Sequence, residues 1–255
     1  MNLFNAIFLG FIQGVTEWFP ISSSGHLAII QSLFNMEVPM AFDIFLHFAS
    51  LIVIIFVFYK DIKEIIIGLI KKEKKYIKLF LYLIIASIPA GIIGFLFNDL
   101  IENIFSNILF IGIFLIITSI ILFSTKFIKN NNKELNLKNA FIIGLFQAFA
   151  ILPGISRSGS TISAGLLQGI NPKEAVKFSF LLSIPVILGA SILGIKDINQ
   201  IDNLEYLLAG GIVTIITGIF TLKFLLKIID KNKFKNFSLY CFILGTAIII
   251  YSIFK

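Results

Sequence analysis

The 255 residues of this chain are 58% hydrophobic and only 14% charged. That composition excludes an ordinary soluble domain and predicts a membrane protein. The formal net charge of +7 does not indicate a nucleic-acid-binding protein, because the basic residues lie in short segments between apolar stretches, where they set membrane topology.

The apolar segments follow a regular order along the chain. An interrupted segment, 3–35, is followed by continuous apolar segments at about 41–59, 79–97 and 106–125; a second interrupted segment, 137–170, is followed by continuous segments at about 175–195, 206–229 and 237–254. The six continuous segments are long enough to cross a bilayer and are predicted to be transmembrane helices.

The two interrupted segments are broken near their middle, by Pro20 in the first and by Pro153 and Gly154 in the second. Because proline removes a backbone donor and clashes with the preceding turn, each segment is predicted to form two half-length helices. A half-helix of about 15 residues reaches only some 22 Å, which is less than the bilayer core of about 30 Å. Both segments are therefore predicted to be re-entrant hairpins.

The interrupted segments are similar at a shift of 134 residues, which pairs Gly10 with Gly144, Gln13 with Gln147, Ser22 with Ser156, Ser24 with Ser158 and Gly25 with Gly159. Each copy then contains one hairpin and three crossings, and because three is odd the second copy must be inverted. The predicted fold is an all-α integral membrane protein with six transmembrane helices plus two re-entrant helical hairpins in an inverted-topology repeat. A single membrane domain covers 1–255, with repeats at about 1–125 and 135–255.

The lysines indicate the orientation of the chain. They are concentrated in alternate connections, at 60–78, 126–138 and 230–235, whereas the connections at 98–105 and 196–205 are acidic or nearly free of lysine. By the positive-inside rule the lysine-rich connections are cytoplasmic. The first hairpin is therefore predicted to open to the outside, the second to the cytoplasm, and both termini to lie outside.

Gln13 and Glu17 lie four residues apart and so share one face of a helix. A carboxylate that faced lipid would be very costly, so Glu17 must face the protein interior or water. Two roles stay open for Glu17: a metal ligand or partner of the nearby serines, or a structural hydrogen bond at the broken helix. Asp43 and His47, also four apart, either line an entrance or face the membrane interface.

The first break is followed by Ser22, Ser23, Ser24, Gly25 and His26, which begin a helix. The exposed N–H groups of a helix start, with the helix dipole behind them, form an anion site. One serine is needed as the N-cap, and Ser22 is predicted to have that duty. His26 is either a hydrogen-bonding group of the helix start or a general acid/base beside the serines.

The second break is followed by a similar helix start, which carries Ser156, Arg157, Ser158 and Thr161. A guanidinium at membrane depth needs a counter-ion, and phosphate oxygens suit its fork geometry. The alternative is a structural salt bridge between Arg157 and Glu17 that ties the two hairpins together.

These stretches, Gln13-x-x-x-Glu17 with Pro20-Ile-Ser-Ser-Ser-Gly-His26 and Pro153-Gly-Ile-Ser-Arg-Ser-Gly-Ser-Thr161, resemble the motifs of the undecaprenyl-diphosphate phosphatases of the bacitracin-resistance protein family. The resemblance covers essentially the whole chain. It implies a hydrolase of the bacterial plasma membrane that removes the terminal phosphate of undecaprenyl diphosphate and so recycles the lipid carrier for cell-wall synthesis. It also implies a divalent cation, Mg²⁺ or Ca²⁺, with Glu17 as the metal ligand.

Carried onto this chain, the resemblance implies two groups of site residues. The catalytic candidates are Ser23, His26, Glu17 and Arg157. The substrate-binding candidates are Gln13, Ser22, Ser24, Gly25, Gly154, Ser156, Ser158 and Thr161. The first acidic position of the family motif is Gln13 here, which leaves Glu17 as the only carboxylate of the motif and weakens a two-carboxylate metal site.

The predicted mechanism is phosphoryl transfer by positioning and charge neutralisation. Ser23 attacks the terminal phosphorus with His26 or Glu17 as the base, and water then releases phosphate; direct attack by water and a His26 nucleophile stay open. A polyprenyl-phosphate flippase is the alternative function, because inverted repeats with re-entrant helices are typical of transporters. The predicted partners are the polyprenyl diphosphate substrate and membrane lipids, without nucleic acid, and a homodimer is allowed.

Overall fold

The computed structural model describes residues 1–105, 107–127, 133–194, 203–228, 234 and 236–254, without the side chains of residues 98, 99, 102, 193, 194 and 228. Over these residues the chain forms α-helices, which are numbered in chain order: α1 Leu3–Thr16, α2 Ser23–Leu33, α3 Met40–Val57, α4 Tyr59–Ile70, α5 Lys74–Leu96, α6 Asn98–Phe105, α7 Ile108–Ser124, α8 Leu137–Phe149, α9 Arg157–Leu167, α10 Pro172–Gly194, α11 Leu204–Ile228 and α12 Asn236–Phe254. The prediction of an all-α protein is confirmed.

Six of these helices, α3, α5, α7, α10, α11 and α12, are long and apolar enough to cross a bilayer. They contain 17 to 25 residues, or about 26 to 38 Å at the usual helical rise. Each coincides with one of the six predicted spans, so those spans are confirmed. The largest difference is at α5, which begins at Lys74 rather than near residue 79 and so places three lysines in its first turns.

The two interrupted segments each form two short helices, as predicted. The four helices α1, α2, α8 and α9 contain 14, 11, 13 and 11 residues, and none exceeds about 21 Å in length. Helix α1 ends at Thr16 and α8 at Phe149, so each helix ends four residues before its proline. Pro20 and Pro153 therefore lie in the loops rather than at the last helical turn.

The prediction that 60–78 is a loop is wrong. Most of it is helical, because α4 places Ile62, Ile65 and Leu69 on one side, towards the protein, at helical spacing. Gly68 of α4 lies against the ring of Tyr76, which lets α4 fold back onto the start of α5. The predicted topology also depends on Lys129, Lys196, Asp197, Asp202, Lys231, Lys233 and Lys235, which lie outside the described residues.

Close backbone contacts hold the short helices α1 and α8 against long helices. A Cβ atom on Gly10 of α1 would come within 2.3 Å of the carbonyl oxygen of Gly210 in α11. A Cβ atom on Gly144 of α8 would come within 2.5 Å of the carbonyl oxygen of Ala86 in α5. Small residues of this kind let helices approach closely in membrane proteins. The two short helices are thus fixed by equivalent glycines.

The loop between α1 and α2 lies next to the loop between α8 and α9 in the interior of the protein. A Cβ atom on Gly25 would be 3.1 Å from the Cα of Gly154. Trp18, beside the first loop, is fully buried and packs edge-on against Phe180 of α10, with 5.9 Å between ring centroids. The polar residues of both loops therefore meet in one buried region.

Candidate active site

Ser22 joins the two loops and caps α2. Its hydroxyl oxygen accepts hydrogen bonds from the backbone N–H of Gly25 at 3.3 Å and of Gly154, across the interface, at 3.1 Å. The backbone of Ser22 has a φ of 68°, in the left-handed region that non-glycine residues rarely adopt. The prediction that Ser22 is the cap is confirmed, and the same hydroxyl also links the two halves of the chain.

The start of α9 repeats the arrangement at the start of α2. Ser156 caps α9 by accepting from the N–H of Gly159 at 3.0 Å, and its hydroxyl lies 3.3 Å from that of Ser158. The hydroxyls of Ser22 and Ser24 lie 3.4 Å apart in the first copy. The duplicated serines therefore have duplicated local structure.

Gly154 holds the second loop in place. Its φ is +98°, and a Cβ atom there would be 2.6 Å from the carbonyl oxygen of Ile111 in α7. Thr118 of α7 donates to the carbonyl oxygen of Gly154 at 2.8 Å and accepts from the N–H of Ser156 at 3.1 Å. Only glycine fits this position without strain, and α7 fixes the direction in which α9 begins.

Glu17 is the centre of a charged cluster that spans both loops. Its Oε1 accepts from Nη2 of Arg157 at 2.6 Å, and its Oε2 accepts from the hydroxyl of Ser23 at 2.5 Å. Gln13 donates to the same Oε2 at 3.1 Å. Ser23 and Arg157 occupy the first position of α2 and α9, so equivalent positions of the two copies meet at one carboxylate.

His47 and Ser50 of α3 complete this cluster, although they were not among the predicted site residues. Nε2 of Gln13 lies 2.9 Å from Nδ1 of His47 and donates to Ser50 at 3.3 Å, and Nδ1 of His47 lies 3.2 Å from Oε2 of Glu17. Asp43 lies on the same helix, where the amide of Gln31 donates to both of its oxygens at 2.9 Å. The signal in the sequence was the spacing of Asp43, His47 and Ser50 along one face of an apolar span.

His26 makes its hydrogen bonds away from the Ser23–Glu17 pair. Its Nδ1 lies 2.7 Å from the carbonyl oxygen of Ser22, and its Nε2 lies 2.7 Å from the hydroxyl of Tyr240 in α12. The side chain of His26 therefore points towards α12 rather than towards Glu17. The oxygen that accepts from Ser23 belongs to Glu17.

Thr161 and Ser158 also face other groups than Glu17. Thr161 donates to the carbonyl oxygen of Arg157 at 2.8 Å and shares a 2.6 Å hydrogen bond with Ser179 of α10. Ser158 donates to the carbonyl oxygen of Phe19 at 3.3 Å. These two hydroxyls hold the start of α9 in place behind the charged cluster.

The charged cluster is buried but opens on one side. The side chain of Glu17 is 5% exposed and that of Arg157 is 15% exposed, whereas that of His47 is 28% exposed. Nη1 of Arg157 is buried and has no hydrogen-bond partner within the described part of the chain. A buried guanidinium N–H group without a partner is a donor that a bound anion would satisfy.

Comparison with known proteins identifies the family of this chain. A family model described as "Bacitracin resistance protein BacA" matches residues 6–247. The chain belongs to the BacA family. The chain is similar to proteins named undecaprenyl-diphosphatase from three organisms. It is 46% identical to the one from Methanococcus vannielii, 43% to the one from Halothermothrix orenii and 45% to the one from Thermosipho africanus. The matches cover 96%, 98% and 94% of this chain and 98%, 98% and 97% of the relatives.

A divalent cation fits this BacA chain only if it is shared with a substrate. Among the described residues, no group of three His, Cys, Asp or Glu side chains could hold a metal ion. Two hard oxygen donors are nonetheless present: the carboxylate of Glu17 and Oε1 of Gln13, which is buried and has no partner among the described residues. Mg²⁺ is commonly bound by one or two carboxylates together with substrate phosphates, so this donor set suits a metal–diphosphate complex rather than a resident ion.

Proposed function

We propose that this BacA protein hydrolyses undecaprenyl diphosphate to undecaprenyl phosphate and phosphate. The observation that carries the proposal is the chain of contacts from Ser23 through Glu17 to Arg157, which joins a nucleophile, a base and a phosphate-binding cation. The names of the relatives, undecaprenyl-diphosphatase, support the same activity. The family and the apolar helices support its place in the membrane, where such a lipid substrate is found.

The proposed reaction has two steps. In the first, the Ser23 hydroxyl gives its proton to Glu17 and its oxygen attacks the terminal phosphorus, while the bond from that phosphorus to the bridging oxygen breaks and undecaprenyl phosphate leaves. In the second, water attacks the phosphoserine, phosphate leaves, and a proton returns to the oxygen of Ser23. The 2.5 Å hydrogen bond from Ser23 to Glu17 favours Glu17 over His26 as the base of the first step.

Positive charge at the site comes from several sources. Arg157 pairs with Glu17 through Nη2, which leaves Nη1 to donate to a phosphate oxygen. The first residues of α2 and α9 lie at the same cluster, so the N-terminal dipoles of both helices favour a bound anion. A divalent cation held by Glu17 and Oε1 of Gln13 would neutralise further charge on the diphosphate.

The function is tested by release of phosphate from farnesyl or undecaprenyl diphosphate by the purified protein, with and without EDTA. Release that EDTA abolishes and Mg²⁺ or Ca²⁺ restores is the expected result, and no release with either metal would contradict the proposal. The flippase alternative is less well supported, because the relatives are named undecaprenyl-diphosphatase and a transporter has less use for a nucleophile.

We further propose that the two halves form an inverted repeat with re-entrant hairpins. The support is the equivalent packing of α1 on α11 and α8 on α5, together with the matched caps by Ser22 and Ser156. In the proposed orientation the first hairpin and both termini lie outside. A cysteine in place of Asn199 should then react with an impermeant reagent, and one in place of Asn131 should not; labelling of position 131 from outside would refute the orientation. A homodimer stays a prediction, which the mass of the detergent-solubilised protein tests.

A further inference from the structure

The hydrogen bonds of His26 determine which of its ring nitrogens carries a proton. Nδ1 lies 2.7 Å from the carbonyl oxygen of Ser22, and because a carbonyl oxygen only accepts, Nδ1 must carry the hydrogen. Nε2 lies 2.7 Å from the hydroxyl of Tyr240. In a neutral imidazole with a hydrogen on Nδ1, Nε2 is an acceptor, so the Tyr240 hydroxyl donates to it.

Tyr240 is held firmly in this position by its own helix. The neighbouring Cys241 donates through its thiol to the carbonyl oxygen of Pro20 at 3.7 Å, and the ring of Phe237 packs on that of Phe19 at 5.4 Å between centroids. The first turns of α12 therefore run along the loop that follows Glu17. The Tyr240 ring is within 4° of parallel to the imidazole of His26 and is 45% exposed at the surface of the helix bundle.

Tyr240 thus separates a buried imidazole from the surroundings of the protein. His26 itself is only 9% exposed, and its remaining ring nitrogen points at the phenol. A histidine whose two ring nitrogens both have partners keeps one tautomer and one ring orientation. Without the hydroxyl, Nε2 would lose its donor, and only the hydrogen bond from Nδ1 to Ser22 would hold the ring.

We propose that Tyr240 is a positioning residue of the active site, which acts through His26. Its hydroxyl donates to Nε2 and, together with the Ser22 carbonyl that accepts from Nδ1–H, fixes the orientation of the imidazole. This inference rests on the proposed hydrolysis for its kinetic consequence, but the pairing of Tyr240 with His26 stands on geometry alone. Tyr240 lies 214 residues after His26, in the other half of the chain, so the half that carries Ser23 would depend on the other half for its histidine.

The first test observes the tautomer directly. The chain contains only two histidines, so a sample labelled with ¹⁵N-histidine gives two imidazole signals, and His47→Asn assigns them. In the unmodified protein the Nδ1 of His26 should be protonated and its Nε2 unprotonated. Tyr240→Phe, which removes only the hydroxyl, should shift the Nε2 signal of His26 towards that of a nitrogen without a hydrogen bond, while Nδ1 stays protonated. Unchanged His26 signals in Tyr240→Phe would overturn the proposal.

The second test measures turnover of farnesyl diphosphate. Tyr240→Phe should lower kcat about tenfold with KM changed less than twofold, since His26 holds the carbonyl of Ser22 next to Ser23, and a change at Ser23 affects the reaction rather than ground-state binding. Tyr59→Phe on α4 is the matched control and should have no effect, because Tyr59 is exposed and lies on another helix.

A double variant separates positioning from simple packing. If Tyr240 acts through His26, Tyr240→Phe should cause no further loss in a His26→Ala protein. The same tenfold loss in that background, or full activity of Tyr240→Phe, would overturn the inference. If the unmodified protein releases no phosphate, the proposed function fails, and the ¹⁵N signals still decide whether Tyr240 donates to Nε2 of His26.

Discussion

Glu17→Gln separates the catalytic role of the Glu17 carboxylate from its structural role. Glutamine has nearly the same shape, so the change removes the charge while it keeps the volume. In the structure this carboxylate accepts from Arg157 at 2.6 Å and from Ser23 at 2.5 Å, with its side chain only 5% exposed. The variant therefore loses the counter-ion of a guanidinium and the proton acceptor of a hydroxyl in one step.

Both losses can be given a magnitude. Removing one partner of a buried ion pair costs about 3 to 5 kcal/mol, and because the side chain of Arg157 is 15% exposed we expect the lower end, about 3 kcal/mol. Loss of a general base lowers the rate by about 10² to 10⁴-fold. The double variant Glu17→Gln with Arg157→Gln has no unpaired charge, so it should regain about 2 kcal/mol of stability without regaining activity.

Two assays are needed, both on the detergent-solubilised protein. The first measures phosphate release, and the second measures thermal unfolding as the fraction of protein that stays monodisperse after heating. Glu17→Gln should be inactive and unfold at lower temperature, and the double variant should be inactive and unfold close to the unmodified protein. Turnover within tenfold of the unmodified protein in Glu17→Gln would refute the role of Glu17 as base. Unchanged stability in that variant would refute the burial argument.

Three further substitutions test other parts of the site. Ser23→Ala should abolish phosphate release, whereas Ser24→Ala should have a much smaller effect. Substantial release by Ser23→Ala would show that His26 or water, rather than Ser23, is the nucleophile. Arg157→Lys keeps the charge but loses the planar fork, so most of the activity should be lost in a protein that still folds, as judged by size-exclusion profile. Gly154→Ala should lower stability by about 3 kcal/mol or more, seen as a lower Tm, because of its φ of +98° and the 2.6 Å approach to a carbonyl oxygen.

Much of the fold could be predicted because membrane helices are recognised in a sequence by their length and apolar composition. The six spans needed no tertiary information, since about 20 apolar residues suffice to cross a bilayer. The caps at Ser22 and Ser156 were predictable for a local reason, because serine accepts from the N–H three residues on. Helix α4 was missed because the many lysines of the segment 60–78 suggested a loop, although the isoleucines of α4 recur at helical spacing.

Contacts within the site were less predictable where the partners are far apart in the chain. The pairing of Arg157 with Glu17 could be proposed as one of two alternatives, because a guanidinium at membrane depth needs an anion. The contact between His26 and Tyr240 could not, because nothing in the sequence near residue 240 distinguishes one tyrosine in an apolar helix from another. His47 was predictable in part. The sequence shows a polar residue in an apolar span, but it does not show that the side chain points towards Glu17.

Under the proposed repeat, the two copies keep the same helix starts but have different chemistry. At the shift of 134 residues, the positions of Glu17, His47 and Ser50 are occupied in the second copy by Ile151, Leu181 and Ile184. Two carboxylates at one buried site would repel each other strongly at low dielectric, and a single one already has a cation partner. In the proposed reaction, one copy supplies the base and the nucleophile, and the other supplies the guanidinium.

Within the described part of the chain, Gln147 lacks the hydrogen bonds that its counterpart in the first copy makes, and this difference gives a last prediction. It is the counterpart of Gln13, but both of its side-chain polar atoms are buried without a hydrogen-bond partner among the described residues, whereas Nε2 of Gln13 has three partners. A buried polar group without a partner destabilises a protein by about 1 to 3 kcal/mol. Gln147→Met, which keeps the length of the side chain, should therefore leave turnover within twofold and raise Tm or leave it unchanged. Gln13→Met is the matched control and should lose most activity, because it removes the hydrogen bond from Gln13 that holds the side chain of Glu17. A large loss of turnover in Gln147→Met would instead show that Gln147 still takes part in the reaction.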